Sequence, residues 1–224
     1  MPEAVLIESG LTLTEQVTAA LQRAIVTGEL PPGAKLNEPD LARHFGVSRG
    51  PLREAISRLE ARRLIRVTAN VGARVISLDT AELIALFETR EALEGQAARL
   101  AALRMSDTAI AELDVVLNRH ATQIETDAGR AYYQDEGDVD FHHCIATGAA
   151  NPWLKALLLD DLYQLLRMYR FRLSVAEGRA EQALGEHRQI LAAIRNRDGE
   201  LAEMLMRRHV ASGRRRFEQA EAVS

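Results

Sequence analysis

Two short helical patterns meeting at a tight turn, followed by two β-branched runs, constrain this chain more than any other feature. Asn37-Glu38-Pro39-Asp40 has the form of a helix start: Asn37 caps, proline occupies the first turn, and acids face the positive helix end. Phe45-Gly46-Val47-Ser48 then breaks the pattern. Gly46 can take a left-handed backbone, Val47 points inward, and Ser48 caps a third helix over about 49–63, with Pro51 tolerated in its first turn. Upstream, Thr12-Leu13-Thr14-Glu15 forms a capping box, and Val17, Leu21 and Ile25 recur at helical spacing until Thr27-Gly28 and Pro31-Pro32-Gly33 enforce a turn. Downstream, residues 64–68 and 73–77 flank Asn70 and Gly72 and predict a hairpin. Leu41, Phe45, Leu52, Ile56 and Leu59 can close a shared core. Helix, short helix, turn, helix and hairpin is the layout of a winged helix-turn-helix.

Charge supports the same segment. The chain carries a net charge of −4, yet within 41–66 seven arginines stand against Glu54 and Glu60 alone. A basic segment inside an acidic protein points to a polyanion. Arg49 and Arg53 are four residues apart and share a face of the third helix. Its first turn would enter the major groove, where an arginine fork binds guanine O6 and N7. Arg58, Arg62 and Arg63 serve equally as phosphate contacts or as a solvated face.

After Asp79 the pattern is helical, with six helices predicted near 80–103, 107–126, 130–148, 152–175, 178–197 and 199–220. The fold class is therefore mainly α: a winged helix-turn-helix over 1–78, then an all-helical antiparallel bundle over 79–224. The single cysteine, Cys144, excludes an intrachain disulfide and suits a reducing, cytoplasmic compartment. No apolar run approaches the roughly 20 residues of a membrane span, and the acidic start, Met1-Pro2-Glu3-Ala4, leads into no signal-like stretch.

The bundle half places Asp138 and His142 four residues apart on one helix, with His187 and His209 on two others. Converging in a core, one carboxylate and three imidazoles would suit a divalent transition metal rather than calcium or magnesium: zinc first, with nickel, manganese and iron also accepting N/O ligands. Histidines scattered over a bundle are also commonly surface or capping residues, and spacing alone leaves both open. Arg167, Tyr169, Arg170 and Arg172 crowd one helix, with the inward face unassigned.

Residues 28–38 (Gly-Glu-Leu-Pro-Pro-Gly-Ala-Lys-Leu-Asn-Glu), Leu41-Ala42, and residues 46–55 (Gly-Val-Ser-Arg-Gly-Pro-Leu-Arg-Glu-Ala) resemble the signature of GntR-type bacterial transcription regulators. The resemblance implies DNA binding through Ser48, Arg49, Gly50 and Arg53, with Gly72 at a wing tip that enters the minor groove. Gly50 stands where the family often has threonine, and Pro39-Asp40 offers no basic side chain at the start of the second helix. In the second half, the segments Asp138-Val139-Asp140-Phe141-His142, Asn151-Pro152, Glu186-His187 and Met206-Arg207-Arg208-His209 resemble the FCD ligand-binding domain of the FadR branch, in its shorter VanR-like version. That resemblance casts Asp138, His142, His187 and His209 as metal ligands at the floor of an effector pocket. It also turns Arg90 toward a small carboxylate or sugar-acid effector; the alternative for Arg90 is a surface salt bridge with Glu94. The expected protein is a homodimeric, ligand-responsive regulator, most simply a repressor, on a double-stranded DNA operator. Its rivals are a constitutive DNA binder with a structural metal and a metal-dependent enzyme, the latter lacking any separate base or nucleophile constellation.

Overall fold

In the computed structural model the first helix, α1 (Leu13–Val26), opens on the capping box: Thr12 Oγ1 accepts from Glu15 N at 3.3 Å, and Glu15 Oε2 accepts from Thr12 N at 2.8 Å. The structure describes residues 10–126, 140–174 and 178–221. These divide into two compact units, one of 1–78 with 161–172 and one of 79–160 with 173–224. The expected second domain, 79–224, included residues 161–172, which here group with the first unit.

In the first unit, α2 (Glu38–Phe45) ends at Gly46, whose φ of +62° is the left-handed conformation that the turn requires. The third helix, α3 (Arg49–Ala61), is two residues shorter than predicted, because Arg62 closes it and Arg63 turns left-handed. Neither expected cap acts through its side chain. Asn37 Nδ2 instead donates to Asp40 Oδ2 at 2.6 Å. Ser48 holds the extended cap backbone but makes no cap bond, which leaves it on the surface. Leu41, Phe45, Leu52, Ile56 and Leu59 are buried together with Leu21 and Ile25 of α1.

The hairpin is β2 (Ile65–Thr68) against β3 (Gly72–Val75), in antiparallel register from Ile65↔Val75 to Thr68↔Gly72. Left-handed Asn70 (φ 64°) and Gly72 (φ 97°) close it. A two-residue strand, β1 (Lys35–Leu36), completes the sheet in the order β1-β3-β2. Two residues are too few for alternation to reveal, and Pro31-Pro32-Gly33 masks the strand as part of a turn.

The second unit is helical: α4 (Thr80–Arg104), α5 (Asp107–Thr126), α6 (Phe141–Gly148), α7 (Pro152–Lys155), then α9 (Arg179–Arg195) and α10 (Gly199–Glu221). The long helix predicted over 152–175 is instead α7, a π-helical stretch Ala156–Asp161, and α8 (Tyr163–Ser174). Leu154 and Leu158 stay buried across that stretch, so apolar spacing gave no sign of it. Helices α4 and α10 run antiparallel in close contact. A Cβ at Gly95 would stand 2.8 Å from Arg207 Cγ, and one at Gly199 would stand 3.1 Å from the Arg99 carbonyl. Phe87, Leu83, Leu113, Leu117, Ile190 and Met206 fill the core around a polar centre. Among the described residues no helix is long and apolar enough to cross a membrane.

Candidate nucleic-acid interface and histidine cluster

The start of α3 presents Ser48, Arg49, Gly50 and Arg53 as an exposed row. Arg49 and Arg53, with Lys35, Asn37, Glu38 and Pro39, line a groove of about 450 Å³. Arg53 Nε donates to Glu38 Oε2 at 3.1 Å across the α2–α3 corner, with 70% of the arginine side chain still exposed. Gly72 sits at the base of the hairpin turn with its left-handed φ, half-buried. The remaining arginines divide. Arg58 pairs with Glu54 on its own helix at 3.1 Å, while Arg62 donates to Gln22 Oε1 of α1. On α8 Tyr169 is buried and its hydroxyl accepts from Leu78 N at 3.0 Å. Arg167 and Arg170 lie over the Tyr163 ring. Arg167, Tyr169 and Arg170 therefore belong to the first unit, and the side chain of Arg172 lies outside the described residues.

In the second unit three helices bring His142, His187 and His209 together. All three are buried, with ligand atoms within 4.8 Å of one another. His187 Nε2 and His209 Nε2 are 3.2 Å apart, and Phe141 stacks on the His187 ring at 4.2 Å. Asp138, the expected fourth member, lies outside the described residues. Its neighbour Asp140 is buried as the cap of α6, its Oδ1 accepting from His143 N at 2.7 Å.

Arg90 is neither surface-exposed nor solitary. It is buried, and its Nε donates to Glu94 Oε1 at 2.6 Å. Glu94 Oε2 is 2.7 Å from His142 Nδ1. A second chain of contacts mirrors the first: Arg179 Nη1 donates to Glu186 Oε2 at 3.0 Å, and that oxygen is 2.6 Å from His209 Nδ1. The sequence reading paired Glu94 with Arg90 but gave neither Glu94 nor Glu186 a histidine partner, and it did not single out Arg179. Glu94 is four residues from Arg90 but meets a histidine 48 positions on, and Glu186 serves His209 rather than its neighbour His187. No local spacing encodes either contact.

Burial opposes ionisation of Glu94, but Arg90 and His142 hold it well below the usual carboxylate range. Glu186 is held down to about 2, because His209 and Arg179 outweigh its burial. Burial, reinforced by the neighbouring His209, His142 and His120, pushes His187 well below an ordinary imidazole. Burial also takes His209 down to about 4 against the pull of Glu186. His187 and His209 are therefore neutral at pH 7, the form that can ligate a cation. Two nitrogens on a tetrahedral zinc, each about 2.0–2.1 Å from it, lie about 3.3 Å apart, close to the separation of the two Nε2 atoms. The donor set fits a divalent transition metal. Burial raises the Cys144 thiol to about 11, consistent with a packing role rather than ligation.

The first unit is a helix-turn-helix beside a three-stranded sheet, a layout common to DNA-binding domains, and the second is a helical unit built around buried histidines. Residues 13–75 match the family model "Bacterial regulatory proteins, gntR family", and residues 85–212 match the "FCD domain". The chain is 31% identical over 198 residues to the HTH-type transcriptional repressor GlaR of Escherichia coli, covering 85% of this chain and 89% of that one. It is 28% identical over 229 residues to the E. coli galactonate operon transcriptional repressor, covering 93% and 98%. It is 30% identical to a probable D-xylose utilization operon transcriptional repressor of Paenarthrobacter nicotinovorans, covering 90% and 87%. The solved structure of E. coli McbR/YncC shares the fold, with TM-score 0.73, 24% identity and coverage of 94% and 99%. A putative GntR regulator from Rhodococcus sp. RHA1 does so at TM-score 0.69 and 24% identity, covering 92% and 98%. The chain belongs to the GntR family of bacterial regulatory proteins and carries an FCD domain. It is a transcription regulator, not an enzyme.

Proposed function

We propose that this chain is a cytoplasmic repressor that binds a two-fold operator as a homodimer and is released by a small carboxylate or sugar acid. Residues 1–78 read DNA, and residues 79–224 sense the effector and dimerise. Arg49 and Arg53 take base edges in the major groove, Ser48 and Gly50 approach the phosphate backbone, and Gly72 lets the wing tip reach the minor groove. The exposed row on α3 supports this, as do relatives named for repression of galactonate and D-xylose operons.

The observation that carries the sensing half is the buried trio His142, His187 and His209, backed by ionised Glu94 and Glu186. These histidines, with Asp138 as fourth ligand, would hold a divalent metal, zinc first and then nickel, manganese or iron. Such an ion supplies a Lewis-acidic position for a carboxylate and its neighbouring hydroxyl. Arg90, buried in the same core and paired there with Glu94, is the guanidinium that an acidic effector would meet. The effector acts by binding the DNA-released arrangement more tightly than the DNA-bound one.

A thermal-shift screen of the metal-loaded protein against aldonates and small carboxylates, repeated after chelation, tests this. A ligand at 100 times its Kd stabilises by ~2.7 kcal/mol. A shift that disappears on chelation is the expected result. A midpoint that falls on chelation but ignores every acid would leave the metal structural and the protein a constitutive DNA binder.

A further inference from the structure

Two histidines of the cluster, His142 and His209, are each met by an arginine-paired carboxylate. His142 on α6 meets Glu94 of α4 at 2.7 Å, and Glu94 receives Arg90 Nε at 2.6 Å. His209 on α10 meets Glu186 of α9 at 2.6 Å, and Glu186 receives Arg179 at 3.0 Å. In both cases the imidazole atom concerned is Nδ1. A carboxylate already paired with an arginine is ionised and can only accept, so the shared proton resides on Nδ1 of each ring. An imidazole that ligates a metal is neutral and carries one N–H, so on binding a cation each ring would present Nε2 as its lone-pair donor. At His209 this is the nitrogen that lies 3.2 Å from His187 Nε2.

We propose that Glu94 and Glu186 are positioning residues that fix His142 and His209 in the Nδ1–H tautomer and aim both Nε2 atoms at one cation. This rests on the metal reading above. A carboxylate behind a ligating imidazole orients the ring and raises its basicity, and removing it characteristically weakens metal binding about 10–100-fold. Arg90 and Arg179 keep the two carboxylates charged and in place. The two grips originate on separate helices, so the site is aligned from α4 and α9 at once rather than by one loop. A glutamine at either position could turn its amide N–H toward Nδ1, and the tautomer would no longer be dictated.

The test uses the full-length protein. Long-range ¹⁵N–¹H correlation spectra of the chelated wild type should show Nδ1–H on His142 and His209. In Glu186→Gln the His209 signature should shift toward Nε2–H while that of His142 stays. Competition with a chromophoric chelator should show zinc and cobalt bound 10- to 100-fold more weakly. Glu186 is partly exposed and is the safer variant. Glu94→Gln leaves Arg90 buried beside a neutral amide, so it is interpreted only where its unfolding midpoint matches wild type. Nε2–H on either ring of the wild type, or unchanged tautomer and metal affinity in Glu186→Gln, overturns the assignment while leaving the metal site standing. A wild type that binds neither ion defeats the metal reading itself, and the positioning role falls with it.

Discussion

Replacing Arg53 separates base reading from simple attraction to phosphate. In the free protein the Arg53–Glu38 pair is exposed, with 70% of the arginine side chain and 33% of the glutamate accessible. Such a pair is worth ~0.2–1 kcal/mol, so Arg53→Ala should change unfolding free energy by less than about 1 kcal/mol. On DNA the same guanidinium, forked onto guanine, discriminates by ~1–3 kcal/mol per half-site, roughly 5- to 140-fold. Arg53→Lys keeps the charge but loses the fork. The assay is fluorescence anisotropy against an operator selected from a random pool and against scrambled DNA, over a salt series. Both variants should lose discrimination. Arg53→Lys alone should keep the wild-type salt slope. If Arg53→Ala weakens operator and scrambled DNA equally, Arg53 contacts phosphate and the base-reading assignment is wrong.

Three further outcomes follow from the geometry. Gly46 holds φ +62° at the end of α2, so Gly46→Ala should destabilise the first unit by ~1–2 kcal/mol in urea unfolding; an unchanged midpoint would deny the turn its strain. His187→Ala should abolish stoichiometric metal by plasma emission analysis and remove the drop in thermal midpoint that chelation causes in wild type; retained metal would exclude His187 as a ligand. The chelated protein should lose stability as pH falls from about 6.5 toward 4. Burial depresses His187 and His209 in the folded state, so the unfolded chain binds more protons across that window. A midpoint flat between pH 7 and 5 would contradict the neutral, buried cluster.

The DNA-binding half was legible because its determinants are local. Gly46, the Thr12–Glu15 capping box and the Asn70–Gly72 turn each act within a few residues, and the structure places them in those roles. What was missed there, the short strand β1 and the absence of side-chain caps from Asn37 and Ser48, depends on neighbours distant in sequence or on side-chain choices that spacing leaves open. In the second half, three of the four residues proposed as ligands converge as a cluster, while Asp138 lies outside the described residues. The carboxylate–imidazole contacts were invisible: Glu94–His142 spans 48 residues and Glu186–His209 spans 23. Arg90 illustrates the ambiguity. Its i,i+4 partner Glu94 was correctly named, but spacing could not reveal that the pair is buried beside an imidazole rather than solvated.

If the histidine cluster is sensory, an acid controls operator affinity through the metal it holds. The most direct measurement is operator affinity by anisotropy, with and without the acid that emerges from the thermal screen, before and after chelation. The acid should weaken operator binding in the metal-loaded protein, and chelation or His187→Ala should abolish this response while DNA is still bound. Operator affinity that the acid leaves unchanged, or that it changes equally without metal, would exclude acid sensing through the metal-loaded histidines.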